Sequence, residues 1–291
     1  MKLFHDIVNN SRFLKHNIVK NFLVLFSGAA FAQIIGFLAS PIISRLFSSE
    51  DFSEFGYWSS VVNTIGVVAT LRYEQAIVLP DDESKATSLL HGSFFVSILV
   101  GLTTFIVSVF YFLFQKSFDF SSLVFSLLLT IQLVFVGISQ SLYYWFIRIK
   151  KFAINSLGKI AQSFGISAFS IILGYFAFHQ GLVLSYILGM FASVVLLVYQ
   201  FKKSNFDFQF DYQRTKVLLK QYVNFPIYSA LPSLLNSLSS NLPIMIATTH
   251  FAATFSGQFS FVRQFLSIPL MYVSASLSQV FFSEITDLIK Q

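Results

Sequence analysis

The residues able to do chemistry in this chain are few, and most of them are arginines. Arg72, Glu74 and Arg263 lie within or beside long uncharged stretches, and Arg45 closes another. A guanidinium is permanently charged, and its planar fork of donors matches the oxygens of a phosphate or carboxylate. Within hydrocarbon such a cation is costly, so it marks a ligand path or a structural pairing. Arg72 stands eight residues before Pro80, about 12 Å of helix. It could serve a cavity or snorkel to headgroups. Arg263, between Phe261 and Phe265, could face a cavity or hold a carbonyl of a neighbouring helix. Arg45 suits an interfacial anchor. Glu74 is the one acid within a span, a candidate proton or sodium site or one half of an interfacial ion pair. Two residues from Arg72, it lies off that residue's helical face and is not its i,i+4 partner.

Uncharged polar groups add hydrogen-bonding capacity. Asn236, Ser237, Ser239, Ser240 and Asn241 cluster on one stretch, with Pro226, Pro232 and Pro243 along it. Prolines leave backbone carbonyls that neighbours or cavity water must satisfy, so this helix reads as bent and cavity-facing, or as polar contact between helices. Gln33, Gln132, Gln140 and Gln162 are further cavity candidates. The chain has no cysteine, which excludes thiol catalysis, disulfides and thiolate metal sites. His91, His179 and His250 are isolated, without metal-ligand spacing, and no GxxxxGK[ST] loop occurs.

The elements that must position these residues follow from composition. Of 291 residues, 55% are hydrophobic and 11% charged, against about 25% charged in a soluble domain. Residues 21–44, 55–71, 86–115, 120–147, 160–201, 221–262 and 264–283 contain no Asp, Glu, Lys or Arg. A bilayer core needs roughly 20 residues of helix, so five windows supply one span each and the two longest more than one. The chain reads as an all-α polytopic membrane protein with about eight helices, at 21–44, 55–79, 89–114, 122–147, 157–178, 181–200, 225–249 and 257–282. Residues 1–20 and the second half of 201–224 read as amphipathic segments on the membrane surface.

Basic residues fix an expected orientation. Of the 19 Lys and Arg, 16 fall in segments assigned to the inner side, Arg45 and Lys116 fall in outer turns, and Arg263 lies within a span. Both termini are expected in the cytoplasm. Charge placed in this way indicates a membrane partner and no nucleic acid. The outer connections are too short for a folded domain, which argues against a glycan polymerase or ligase.

Helices one and two resemble helices seven and eight. Asn21-Phe22 and Asn224-Phe225 open the two pairs, and Gly56 and Gly257 follow at similar intervals. Six spans separate the copies, the arrangement of a parallel repeat. The expected organisation is a surface segment 1–20, a six-helix lobe 21–200, a linker 201–224, and the first two helices of a second lobe in 225–291, with four helices of that lobe lying beyond the end.

The chain resembles the polysaccharide flippases of the multidrug/oligosaccharidyl-lipid/polysaccharide exporter superfamily, the Wzx-type O-antigen and capsule translocases. The resemblance rests on Ser27-Gly28 through Pro41 and Arg45-Leu46-Phe47, then Ser49-Glu50-Asp51-Phe52. It continues with Leu71-Arg72-Tyr73-Glu74-Gln75-Ala76-Ile77-Val78-Leu79-Pro80, and with Tyr222-Val223-Asn224-Phe225-Pro226 to Asn236 and Leu242-Pro243. It closes with Arg263 to Pro269-Leu270 and Ser278-Gln279-Val280-Phe281-Phe282. Two departures stand out: eight helices where the family has about twelve, and Ser53 where the family's turn carries Gly.

The resemblance implies a non-enzymatic transporter that needs no cofactor. It would move undecaprenyl-diphosphate-linked oligosaccharide units to the outer leaflet of the bacterial inner membrane, for O-antigen, lipopolysaccharide or capsule biosynthesis. Its partners would be the lipid-linked cargo, membrane lipids, a glycan polymerase and chain-length proteins. It carries a cationic cavity onto Arg45, Arg72 and Arg263. Asn236, Asn241 and Gln33 are expected as further substrate contacts and Glu74 as the coupling-ion candidate. An inactive, truncated flippase and a cation-coupled drug exporter of the same superfamily remain as alternatives.

Overall fold

A computed structural model describes residues 2–116, 119–178, 180–204, 211–266 and 278. Nine α-helices occupy the described residues: α1 Lys2–Leu46, α2 Ser49–Gly66, α3 Glu83–Phe114, α4 Phe120–Arg148, α5 Phe152–Tyr175, α6 Gly181–Lys203, α7 Tyr212–Gln221, α8 Leu231–His250 and α9 Ala253–Leu266. The protein is an all-α polytopic membrane protein. Five segments are long and apolar enough to cross a bilayer, Val24–Leu46, α3, α4, α5 and α6. The backbone of residues 2–23 continues α1 as one helix.

The second expected span, 55–79, is not one helix. The α-helical part ends at Gly66 after 18 residues, and i→i−3 bonds take over, such as Leu71 N–H to Val68 O at 2.9 Å. A 3-10 helix then runs Tyr73–Val78. Leu71 and Arg72 are left-handed, with φ of 50° and 66°, which non-glycine residues seldom adopt. The physical cause is packing on α3 and α4. Gly66 faces Val136 of α4, whose Cγ1 would lie 3.4 Å from a Cβ placed there, and Gln140 Nε2 donates to its carbonyl at 3.1 Å. Arg148 at the end of α4 donates to the carbonyls of Ile77, Pro80 and Asp81. Apolar composition cannot separate α-helix from such a segment, because backbone groups satisfied by neighbouring protein are tolerated at membrane depth.

The expected seventh span is also irregular. It begins as a π-turn, Pro226–Ala230, and only then becomes α8. Pro226 and Pro232 lack N–H donors, and the widened turn absorbs the missing bonds. The eighth expected span, 257–282, is described only as far as Leu266, in α9; its remainder lies outside the described residues apart from Ser278.

Helix α1 packs along α5, α5 on α6, α3 on α4, and the short amphipathic α7 on α3. Serine and glycine allow close approach, as where Gly28 of α1 meets Ser156 of α5. One apolar cluster joins Ile77, Leu89, Trp145, Phe146, Leu197 and Leu218 near the end of the bundle that carries Arg148, Lys151, Lys202 and α7. A second, toward the opposite end, joins Phe47, Phe55, Trp58, Leu133 and Ile187. Helix α2 is the bridge, since it packs against α4 and α6 on one side and against α8 and α9 on the other.

Candidate functional site

Helix α2 starts with a capping box. Ser48 Oγ accepts from the Asp51 amide at 3.2 Å, and Asp51 accepts from the Ser48 amide at 2.8 Å. Glu50 and Asp51 suit the positive end of the helix dipole. This fixed start sets the register of α2 against α9. Ser53 Oγ and Ser256 Oγ share a buried hydrogen bond of 2.7 Å, and Phe52 meets Phe261 edge-on with centroids 5.2 Å apart. Gly257 lies so close to α2 that a Cβ there would fall 2.0 Å from the Ser49 carbonyl oxygen, and one on Gly56 would overlap Ser260. Further along, Ser237 of α8 donates to Asn63 O of α2 at 2.9 Å. Ser53, which departs from the family glycine, is therefore a buried contact between distant parts of the chain. A substitution read in isolation carries no signal of its partner.

The polar stretch of α8 faces this seam in part. Asn241 is buried and donates to Ser237 O at 2.9 Å. Asn236 is exposed, and its carbonyl accepts from Ser240 Oγ at 2.9 Å. Arg263 of α9 is half-buried and donates from Nη2 to the Ser240 carbonyl of α8. The structure thus brings Arg263 together with the neighbourhood of Asn236 and Asn241, through a helix–helix carbonyl contact.

Arg72 and Glu74 form a second group. Arg72 Nη1 lies 3.6 Å from Glu74 Oε1, with the arginine side chain 24% exposed and the glutamate 1%. The i,i+4 rule that set the two on different faces presumes an unbroken helix, which this segment is not. The left-handed pair Leu71-Arg72 turns the arginine back over the 3-10 segment. Glu74 also accepts from the Thr70 hydroxyl, and Thr70 itself is fully buried with its methyl against Gly137. Neither Thr70 nor Arg148 was singled out from sequence as a site residue. Arg148 looked like one more basic residue at a span end.

The remaining candidates stand apart. Arg45 is exposed in the last turn of α1, and Gln33 is half-buried midway along α1. Arg45, Arg72, Arg263, Asn236, Asn241, Gln33 and Glu74 line neither of the two grooves at α8–α9 and at α1–α2–α9. An open groove of about 470 Å³ between α8 and α9 is lined by Leu242, Pro243, Ile246, Phe251, Phe255 and Phe259 among others, and by none of the arginines. Its apolar walls suit lipid tails and offer no site for an anion. Among the described residues no group of three or more metal-ligating side chains occurs.

Outside the spans, Asp82 caps α3 and binds α7. Its carboxylate accepts from the Ser84 amide and hydroxyl at 3.0 and 2.8 Å and from Arg214 Nη2 at 2.8 Å. The Ser84 bonds, with help from Arg214, hold its pKa below the ordinary 3.8. Tyr73 adds a bond from its hydroxyl to Leu219 O at 3.0 Å, so α7 is fastened to the α2–α3 connection twice.

A bundle of apolar helices with charged residues in a broken second helix and a polar, proline-rich eighth helix defines an all-α polytopic membrane protein. The chain belongs to the polysaccharide biosynthesis protein family, whose pattern matches residues 18–286. A solved structure described as the outward-facing conformation of a multidrug resistance MATE family transporter of the MOP superfamily shares the fold, with a TM-score of 0.61 at 14% identity. The match covers 94% of this chain and 65% of that one, so the chain spans less than two thirds of the length of its structural neighbour. No curated protein matches the chain.

Proposed function

We propose that the chain belongs to a flippase for undecaprenyl-diphosphate-linked oligosaccharide repeat units, working by alternating access in the bacterial inner membrane in the service of O-antigen or capsule synthesis. The observation that carries this reading is the uneven contact of α2 with α8 and α9. The Ser49–Asn63 part of α2 is tied to those helices by the Ser53–Ser256 and Ser237–Asn63 hydrogen bonds and the Gly257 contact. Toward the other end both helices lose α-geometry, α2 in its 3-10 segment and α8 in its π-turn. There Ile227, Tyr228, Leu231 and Leu235 are more than half exposed.

Basic residues concentrate at that second end: Arg148, Lys151, Lys202, Lys203, Lys216 and Lys220. By the positive-inside rule it is cytoplasmic, which makes the tied end the outer one and the conformation inward-facing. In this reading Arg72 meets the diphosphate near the cytoplasmic mouth, and Arg263 receives it deeper along the path. Asn236, Asn241 and Gln33 supply hydrogen bonds to sugar hydroxyls, and Arg45 stands at the outer exit. Charge-assisted bonds from guanidinium to phosphate offset the desolvation of the anion.

The test is restoration of surface glycan in a flippase-deficient cell. Arg263→Ala, in the complete natural protein, is expected to abolish surface glycan at normal membrane abundance. Unchanged glycan removes Arg263 from the path.

A further inference from the structure

We propose that Glu74 is a positioning residue for Arg72, a fixed counter-charge that aims the guanidinium without occupying its donors, and not an independent ion site. The inference rests on the proposed reading of Arg72 as a diphosphate contact.

The geometry carries it in three steps. First, Glu74 is anchored. It is 1% exposed, and the buried Thr70 hydroxyl donates to Oε2, while Oε1 faces Arg72. Thr70 is in turn held against Gly137 of α4. A carboxylate fixed on one oxygen by a buried donor has one oxygen left for a cation.

Second, the pairing is close enough for strong attraction yet is not a hydrogen-bonded fork. One nitrogen, Nη1, approaches one oxygen at 3.6 Å, beyond a normal N–H···O distance. A bidentate arginine–carboxylate pair would consume the guanidinium edge a phosphate needs. Here the carboxylate supplies charge compensation and leaves that edge available. Arg72 Nε is buried and has no acceptor among the described residues, while the side chain as a whole keeps 24% exposure.

Third, the backbone is shaped for this arrangement. In a continuous helix, positions 72 and 74 would point about 200° apart. The left-handed conformations at Leu71 and Arg72, unusual for residues with side chains, place both groups on one side. Backbone strain of this kind persists only where surrounding structure enforces it. The 3-10 segment that follows packs on both α3 and α4, and its far end is held by the three Arg148 bonds.

The test measures binding of farnesyl diphosphate to the full chain in lipid nanodiscs by calorimetry, with farnesol as the control for the isoprenoid tail. The wild type is expected to prefer the diphosphate, and Arg72→Ala to weaken it roughly tenfold. Glu74→Gln, nearly isosteric, is expected to weaken it by a similar factor. Thr70→Val, which keeps both charges, should weaken it about threefold. The deciding result is non-additivity: in an Arg72→Ala background, Glu74→Gln should cause no further loss, an outcome that a general folding defect would not produce. If Arg72→Ala weakens binding but Glu74→Gln leaves it unchanged or tightens it, the positioning role is overturned and the reading of Arg72 stands. Additive losses overturn it likewise. If Arg72→Ala binds as tightly as wild type, the reading of Arg72 falls, and the positioning role falls with it.

Discussion

Ser53 and Ser256, 203 positions apart, share a buried hydrogen bond of 2.7 Å between α2 and α9. Two hydroxyls can be this close only because the helices around them are stripped of bulk, with Gly56 against Ser260 and Gly257 against the Ser49 carbonyl. In a lipid environment small residues let helix backbones meet, and side-chain hydrogen bonds then add specificity. A contact made by a few small groups is modest in energy, which under the flippase reading would suit a joint that opens and closes.

The chain contains no cysteine, so this joint can be tested cleanly. Ser53→Cys with Ser256→Cys is expected to form a disulfide on mild oxidation, seen as loss of thiol labelling in the intact chain. Under the flippase reading, oxidation should stop surface glycan synthesis and a reductant should restore it. Two thiols that stay reduced would show that α2 and α9 do not meet here. A disulfide that leaves transport untouched would count against opening at this seam.

Gly257→Ala probes the same contact from the backbone. The added methyl would start 2.0 Å from a carbonyl oxygen of Ser49, and backbone cannot move aside as a flexible side chain can. Overpacking of this kind costs about 1–3 kcal/mol. The expected result is a lower melting temperature in detergent, with Gly36→Ala, which meets only Ser163 Oγ at 3.7 Å, nearly neutral. Equal effects at the two glycines would contradict the close approach of α9 to α2.

The membrane class and most helices were legible in the sequence, because runs without charge can be read one residue at a time. α3, α4, α5 and α6 fall where the uncharged windows lie. The break at Gly66 was not legible, since Val67 to Ala69 are as apolar as a helix, and the donor that meets the Gly66 carbonyl is Gln140 of α4, 74 positions away. The same limit hid the Arg72–Glu74 pair, whose proximity depends on two left-handed residues that periodicity does not report. Arg263 could be read as cavity-facing or carbonyl-bound, and the Ser240 contact needed the packing of α8 on α9 to become visible. Sequence identified which residues were unusual, while their partners depended on the path of the backbone between them.

Arg148 is expected to matter more than its place at a span end suggests. It donates to three carbonyls of the 77–81 segment, and Arg148→Ala would leave acceptors without partners in a half-buried place. Each lost charged bond of this type is worth about 1.5–3 kcal/mol. Thermal unfolding should show a clear loss of stability, and amide exchange should rise over Tyr73–Val78 before it rises in α4. Arg148→Lys, a single point donor, should recover only part of the loss. Full recovery by lysine would mean that charge alone, and not the fork, secures the segment.

The fastening of α7 should respond to acid. Asp82 is held below the ordinary carboxylate value of 3.8, first by the Ser84 bonds and then by Arg214. A depressed folded-state pKa favours the folded arrangement above the ordinary value, and that contribution fades as pH falls through the lower folded value. The Asp82–Arg214 contact is therefore expected to be intact throughout pH 5–8 and to loosen only below about pH 4. Amide exchange in α7 is the direct measure: protection should stay flat from pH 8 to 5, after correction for intrinsic rates, and drop in stronger acid. In Asp82→Asn the acid-dependent drop should vanish, with protection lower at neutral pH. If α7 protection instead changes between pH 6 and 7, a group other than Asp82 controls its attachment to the bundle.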